Sequence, residues 1–254
     1  MTDRLYGDEA LVLRSYKLGE ADRIVVLLTA RHGKVRAVAK GVRKTKSRIG
    51  GRLELLGLVK VQLRRGSNLD HVDQVESIDS SAALLADLDV CTAAQTAAEA
   101  VDLLVPEGEP VADTYRMLLG VRRARLDRPS SLVVPAFLWR LLAAEGLRPE
   151  LDRCATCGST DEPLVSLDLR AGGGVCRGCR RGTAVSPAAL ELLREVLSPG
   201  LGAVLDRHHR PGGMALDDPV LNEVARLAVD AFEHHVERRL RSPAAFGADG
   251  PGRP

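Results

Sequence analysis

Aromatic side chains are scarce in this chain: one Trp, three Tyr and three Phe among 254 residues, 3% in all. Residues 1–80 hold only Tyr6 and Tyr16. A protein that stacks a long run of nucleobases on an aromatic platform needs more of them. Long apolar runs are missing too. Ile24-Val25-Val26-Leu27-Leu28 is among the longest, far short of the ~20 residues that span a bilayer. Met1-Thr2-Asp3-Arg4 is not followed by an apolar signal-like stretch, so a cytoplasmic protein without membrane contact is expected. No Walker-type glycine loop occurs. His208-His209 and His234-His235 are neighbours in sequence, and neighbours on a helix do not face one site. With no nucleophile or acid–base set in view, the chain reads as a non-enzyme.

The hydrophobic share is 45% and the charged share 28%, the balance of a globular protein with enough length for one large or two small domains. The net charge of +2 hides a strong segregation. Between Arg31 and Arg65 twelve cations stand against one acid, Glu54, so this stretch carries +11 and the rest of the chain −9. A cationic block of that size calls for a polyanionic partner.

Up to residue 80 the pattern is that of short strands separated by turns. Ala10–Tyr16, Arg23–Thr29, Lys34–Lys40, Leu55–Leu63 and Leu69–Ser77 are the five candidates, and their spacing favours a small barrel. In the third, Val35, Ala37 and Ala39 face one way and Lys34, Arg36 and Lys40 the other. From Ser81 the apolar period changes to that of helices. Helices are predicted near residues 81–85, 89–105, 113–125, 135–145, 187–197 and 219–240. The class is therefore α+β: a barrel domain over 1–80, a helical domain over 81–241, and a Pro/Gly/Ala-rich tail, 242–254, expected to be disordered.

Four of the five cysteines form two CxxC pairs, Cys154/Cys157 and Cys176/Cys179. In a cytosolic chain this pattern points to metal and not to disulfides. Two tight turns facing each other supply four thiolates, the donor set of one structural Zn²⁺ with no open position for catalysis. Arg153, Arg177, Arg180 and Arg181 offset the charge of the site or, alternatively, touch nucleic acid. Cys91 is read as a core thiol. The cations Lys40, Arg43, Lys44, Lys46, Arg48 and Arg52 lie in a glycine-containing loop between two predicted strands. With Lys34, Arg36, Arg64 and Arg65 they are the candidate DNA contacts. Few aromatics and many cations imply a grip on phosphates, steeply salt-dependent, that leaves base edges free to pair.

The chain resembles the RecO family in an ordered set of segments: Leu11-Val12-Leu13-Arg14, Leu18-Gly19-Glu20-Ala21-Asp22-Arg23-Ile24, Gly33-Lys34-Val35, Ala37 through Arg43, Ser47-Arg48, and the two cysteine pairs. The resemblance implies an N-terminal OB-fold, then a helical domain with a four-cysteine zinc finger at 154–179. It further implies a mediator of DNA repair and recombination that binds single- and double-stranded DNA and anneals complementary strands. The implied partners are RecR, the C-terminal tail of single-strand binding protein, RecA and sometimes RecF, at the nucleoid. The competing reading is a zinc-ribbon transcription or RNA-binding factor.

Overall fold

A computed structural model of the chain describes residues 5–43, 47, 49–127, 130–209 and 218–241, the side chains of 125–127 excepted. The candidate contacts Lys44, Lys46 and Arg48 and the expected tail 242–254 lie outside the described residues. The chain divides into two compact units, residues 1–126 and 127–254.

The first unit begins with β1 (Leu5–Leu18), β2 (Asp22–Thr29), β3 (Gly33–Ala39), β4 (Leu58–Arg64) and β5 (Asp70–Asp79). They close into a barrel in the order β1-β2-β3-β5-β4. All pairings are antiparallel except β3 with β5, which run parallel through Ala37↔Asp70 and Val38↔His71. This is the OB-fold. β1 starts at Leu5 and not at Ala10, because Leu5 to Glu9 pair with Arg64 to Lys60 of β4. That half of the strand is held by its backbone partner, so its apolar pattern is weak. Strand alternation fills the interior: Ala10, Val12, Val25, Leu27, Ala37, Ala39, Val59, Val61 and Leu63 are buried together. Between β2 and β3 the chain turns at Gly33, φ +70°, where a Cβ would lie 1.8 Å from the Glu109 carbonyl oxygen. Both the backbone angle and the close approach require glycine there.

Three helices belong to the barrel's unit: α1 (Ala82–Leu85), α2 (Leu88–Leu104) and α3 (Ala112–Asp127). Asp87 caps α2 by accepting from the Val90 amide at 2.9 Å. α2 packs on β1. Leu11, Leu13, Val26 and Leu28, which point away from the barrel interior, are buried as well. That is why β1 and β2 read as continuous apolar runs and β3 alternates. Arg122 of α3, 3% exposed, donates to the Leu56 and Ser80 carbonyls at 3.2 and 2.7 Å and pairs with Asp79. It thereby fastens α3 to the end of β5. Cys91 is half-buried, not a core thiol, and its sulfur accepts from Gln95 Nε2 at 3.7 Å.

The second unit contains α4 (Val133–Ala144), β6 (Leu164–Asp168), β7 (Gly173–Cys176), β8 (Thr183–Ala184), α5 (Pro187–Leu197), α6 (Leu201–Arg207) and α7 (Pro219–Val236). Nine of the twelve residues of α4 are buried, Trp139 among them. It is thus a central helix, apolar all round, against which α5 and α7 pack. Ser186 caps α5 and is itself gripped by Glu223 of α7, through the Ser186 amide and hydroxyl at 2.7 Å each. Among the described residues no helix is long and apolar enough to cross a membrane.

Candidate metal centre and nucleic-acid interface

The four cysteines come together at one end of the small sheet β7-β6-β8. The first pair sits in a turn closed by the Gly158 amide on the Cys154 carbonyl, 2.8 Å, and by the Cys154 amide on the Ser159 carbonyl, 2.9 Å. The second pair spans the end of β7 and a single 3₁₀ turn, Arg177–Cys179. The Ala155 amide donates to the Gly174 carbonyl at 2.8 Å and ties the first turn to β7. All four Sγ atoms lie within 4.8 Å of one another, and Cys157 and Cys176 are 3.9 Å apart. A regular tetrahedron of about 2.3 Å metal–sulfur bonds has edges of about 3.8 Å, so the cluster fits one tetrahedral ion.

The protonation chemistry agrees with that fit. Backbone N–H groups of Cys157 and Cys176 point at the Cys154 sulfur and hold its pKa down to about 6, despite the opposing cost of burial. Cys179 is pushed up to about 12, first by its hydrogen bond with the Cys157 thiol and then by burial. At Cys176 the Cys179 amide lowers the pKa, but burial and the neighbouring thiols outweigh it and the net shift is upward. One sulfur is primed as a thiolate, and Cys176 and Cys179 resist ionising beside it. A divalent cation removes that conflict, because coordination stabilises every thiolate at once. Cys154, Cys157, Cys176 and Cys179 would hold the metal, and four ligands leave no position for a substrate. Arg153 donates from Nε to Glu150 at 3.0 Å, while Arg177, Arg180 and Arg181 are exposed beside the cluster.

The cations of the barrel divide by environment. Arg36 projects from the outer face of β3 and Lys40 follows directly after the strand; both are exposed. At ~3.3 Å per residue they stand about 13 Å apart. Arg43, also exposed, continues this row into the following turn and donates to the Gly19 carbonyl at 3.0 Å. That turn is braced from below: Asp22 accepts from the Gly41 amide at 2.8 Å, and the Arg43 amide donates to the Ala21 carbonyl at 2.9 Å. The Glu20-Ala21-Asp22-Arg23 segment thus supports the start of the basic loop. Arg36 faces Glu107 at 3.8 Å. Arg52 is exposed and donates to the Val75 carbonyl at 2.7 Å. At the other end of the barrel Arg64 is held in a two-pronged pair by Asp73, at 2.9 and 3.1 Å. Arg65 lies 5.1 Å over the Tyr6 ring.

Lys34 is different. It shares the outward parity of Arg36 but is 7% exposed, and its ammonium donates to the Asp102 carbonyl at 2.6 Å and faces the Asp102 carboxylate at 3.7 Å. Nothing in the alternation of β3 reveals that residue 102 would cover it. The sequence reading also missed a polar cluster at the same end of the barrel. Asp8, 4% exposed, accepts from His32 Nδ1 at 2.6 Å and from the amides of Arg31 and Glu9 at 3.0 and 2.9 Å. Burial alone would raise its pKa, yet the hydrogen bonds from His32, Arg31 and Glu9 more than reverse it and hold the carboxyl below its ordinary value. The only signal in the sequence is an acid at an inward-leaning position of β1, which does not name its partners.

A closed OB-fold barrel bearing exposed cations, in one chain with a four-cysteine metal knuckle, defines a nucleic-acid-binding class of protein. Comparison with family models narrows this. The model described as Recombination protein O N terminal matches residues 1–81, and that described as Recombination protein O C terminal matches residues 85–244. The chain belongs to the RecO family, a family of DNA repair and recombination mediators.

Proposed function

We propose that this chain is a non-enzymatic recombination mediator that holds single- and double-stranded DNA by its phosphates and anneals complementary strands. With RecR it loads RecA onto DNA coated by single-strand binding protein, whose C-terminal tail it engages; RecF joins in some settings, and the protein works at the nucleoid. The observation that carries this reading is the exposed row Arg36, Lys40 and Arg43 on β3 and its following turn, in a chain of the RecO family. By their charge Lys44, Lys46 and Arg48, which lie outside the described residues, are further candidate contacts together with Arg52, and Arg64 and Arg65 add charge at the far rim. Lys34, buried on Asp102, orients the barrel wall and is not part of the grip. The helical domain supplies partner surfaces, and one zinc ion in the cysteine knuckle braces it.

A row of cations without a base-reading surface binds all sequences alike and releases counterions as it binds. The triple variant Arg36→Ala/Lys40→Ala/Arg43→Ala is therefore expected to weaken binding of single-stranded DNA uniformly across sequences. The slope of log affinity against log salt should flatten by about 2, the value for three lost phosphate contacts on a single strand. Fluorescence anisotropy over a salt series measures both. An unchanged slope would remove the row from the interface. Competition with structured RNA separates this reading from an RNA-binding factor.

A further inference from the structure

At the rim of the barrel away from the basic loop lies a cleft of about 360 Å³, bounded by the start of β1, the β2–β3 turn, the β4–β5 loop and residues 107–110. We propose that this cleft takes in one unpaired base of a DNA strand whose phosphates lie on the cationic row. The proposal rests on the phosphate-binding reading above and adds to it a contact that a fully paired duplex does not offer.

The volume falls in the range of small-ligand pockets and suits one nucleotide. Tyr6 supplies the aromatic surface, in a barrel that has only one other aromatic residue, Tyr16. Its ring is set in place from two sides: the hydroxyl donates to the Asp70 carboxylate, and the ring leans on His32 with centroids 4.6 Å apart. The Arg65 guanidinium lies over the same ring and has no carboxylate partner among the described residues. It can move off the ring to a phosphate and leave the face to a base. Stacking on one aromatic ring is tolerant of sequence, since every base has a π-face. Ser67 and Asn68 of the β4–β5 loop line the same cleft and carry the donor and acceptor groups that base edges use.

Charge distinguishes a base from a phosphate as the occupant. Arg31, Arg36 and Arg65 line the cleft, but so do the carboxylates of Asp70 and Glu107. A dianion would meet those acids, whereas a neutral polar base flanked by phosphates puts its amino groups near the acids and its phosphates near the arginines. Arg36 belongs both to the cleft and to the β3 row, so one strand can run from the row into the cleft without a break. A base in a duplex is already stacked and paired, and taking it in costs the unpairing energy. The cleft therefore biases the barrel toward single strands.

The test uses the full chain and short single-stranded oligonucleotides carrying a fluorescent aminopurine at one position at a time. Stacking on Tyr6 is expected to change the emission when the aminopurine occupies the captured position. Two variants remove the site differently: Ser67→Phe fills the cleft from an exposed loop position, and Tyr6→Leu keeps apolar bulk but loses the ring. Each is expected to abolish that emission change and to lower affinity for single strands about tenfold, the value of one stacked base. The salt slope should flatten by no more than about 0.7, the value of the one phosphate contact that Arg65 gives up on a single strand. Binding by anisotropy without any emission change, or an emission change that survives Ser67→Phe, overturns the cleft alone. A flattened slope with the emission change intact also overturns it, because the variants would then have acted on a phosphate contact. Absence of binding in the unaltered protein at low salt overturns the phosphate reading and the cleft with it.

Discussion

Asp8 shows how one residue can shape a barrel rim without any signature in the sequence. Four donors converge on its nearly dry carboxylate, from Glu9, from both the amide and the side chain of Arg31, and from His32. Its folded pKa is held down, so the stabilisation it gives is present above its unfolded pKa of about 3.9 and is lost as pH falls through the folded value. Asp8→Asn is accordingly expected to cost about 1–2 kcal/mol near neutral pH, from the weakened charge-assisted hydrogen bonds. The gap to the unaltered protein should close as the solution is acidified from the unfolded pKa of about 3.9 down through the lowered folded value. Urea unfolding of both proteins across that range measures it, and a gap that stays constant with pH would refute the charge argument. Lys34 carries the complementary lesson. Its charge and strand parity are legible, but its burial on Asp102 follows from residues 68 positions apart meeting.

At the scale of elements, strands and helices with strong periodicity were legible and their partners were not. β3 alternates in part: the predicted inward set Val35, Ala37 and Ala39 does face the core, while Lys34 and Val38 on the other face are buried as well. α6 was missed: it is one short helix after Gly200, too brief to show a period. The cysteine knuckle was the most legible element of all, since two CxxC turns can converge only if their sulfurs share a centre. Metal binding to such a site is folding free energy for the element that carries it. Stripping the metal with a chelator, or replacing Cys154 and Cys157 with Ser, is expected to lower the unfolding midpoint of the second unit by roughly 5–10 °C. Trp139, the only Trp in the chain and 1% exposed in α4, reports that unit by its fluorescence. DNA affinity should change less than about twofold, because the β3 row belongs to the first unit. An unshifted midpoint after metal removal would contradict the bracing role.

For the whole molecule the governing quantity is the segregation of charge, +11 between Arg31 and Arg65 against −9 elsewhere. Annealing requires two strands to approach with their mutual repulsion screened and their base edges open, and phosphate-directed cations meet both needs. The full chain is expected to accelerate annealing of complementary strands coated with single-strand binding protein. That acceleration should fall by at least tenfold between low and physiological salt, in step with affinity. Stopped-flow fluorescence quenching measures the rate. An acceleration indifferent to salt would place the activity outside the electrostatic grip.

The sequence by itself determined the order of element types, the two CxxC pairs suited to hold a metal and the concentration of cations in one stretch, because these depend on residue identity and local spacing. Tertiary structure decided the surroundings of each cation. Lys34 was withdrawn beneath Asp102 and Arg64 was paired with Asp73, while Arg36 on β3 and Lys40 and Arg43 in the following turn were left exposed. It also brought Tyr6, Arg65 and Asn68 around one cleft. Such outcomes depend on barrel closure and on helices packed against its wall, which bring distant residues within a few ångströms, and pairwise contacts of that range leave no periodic trace in a chain.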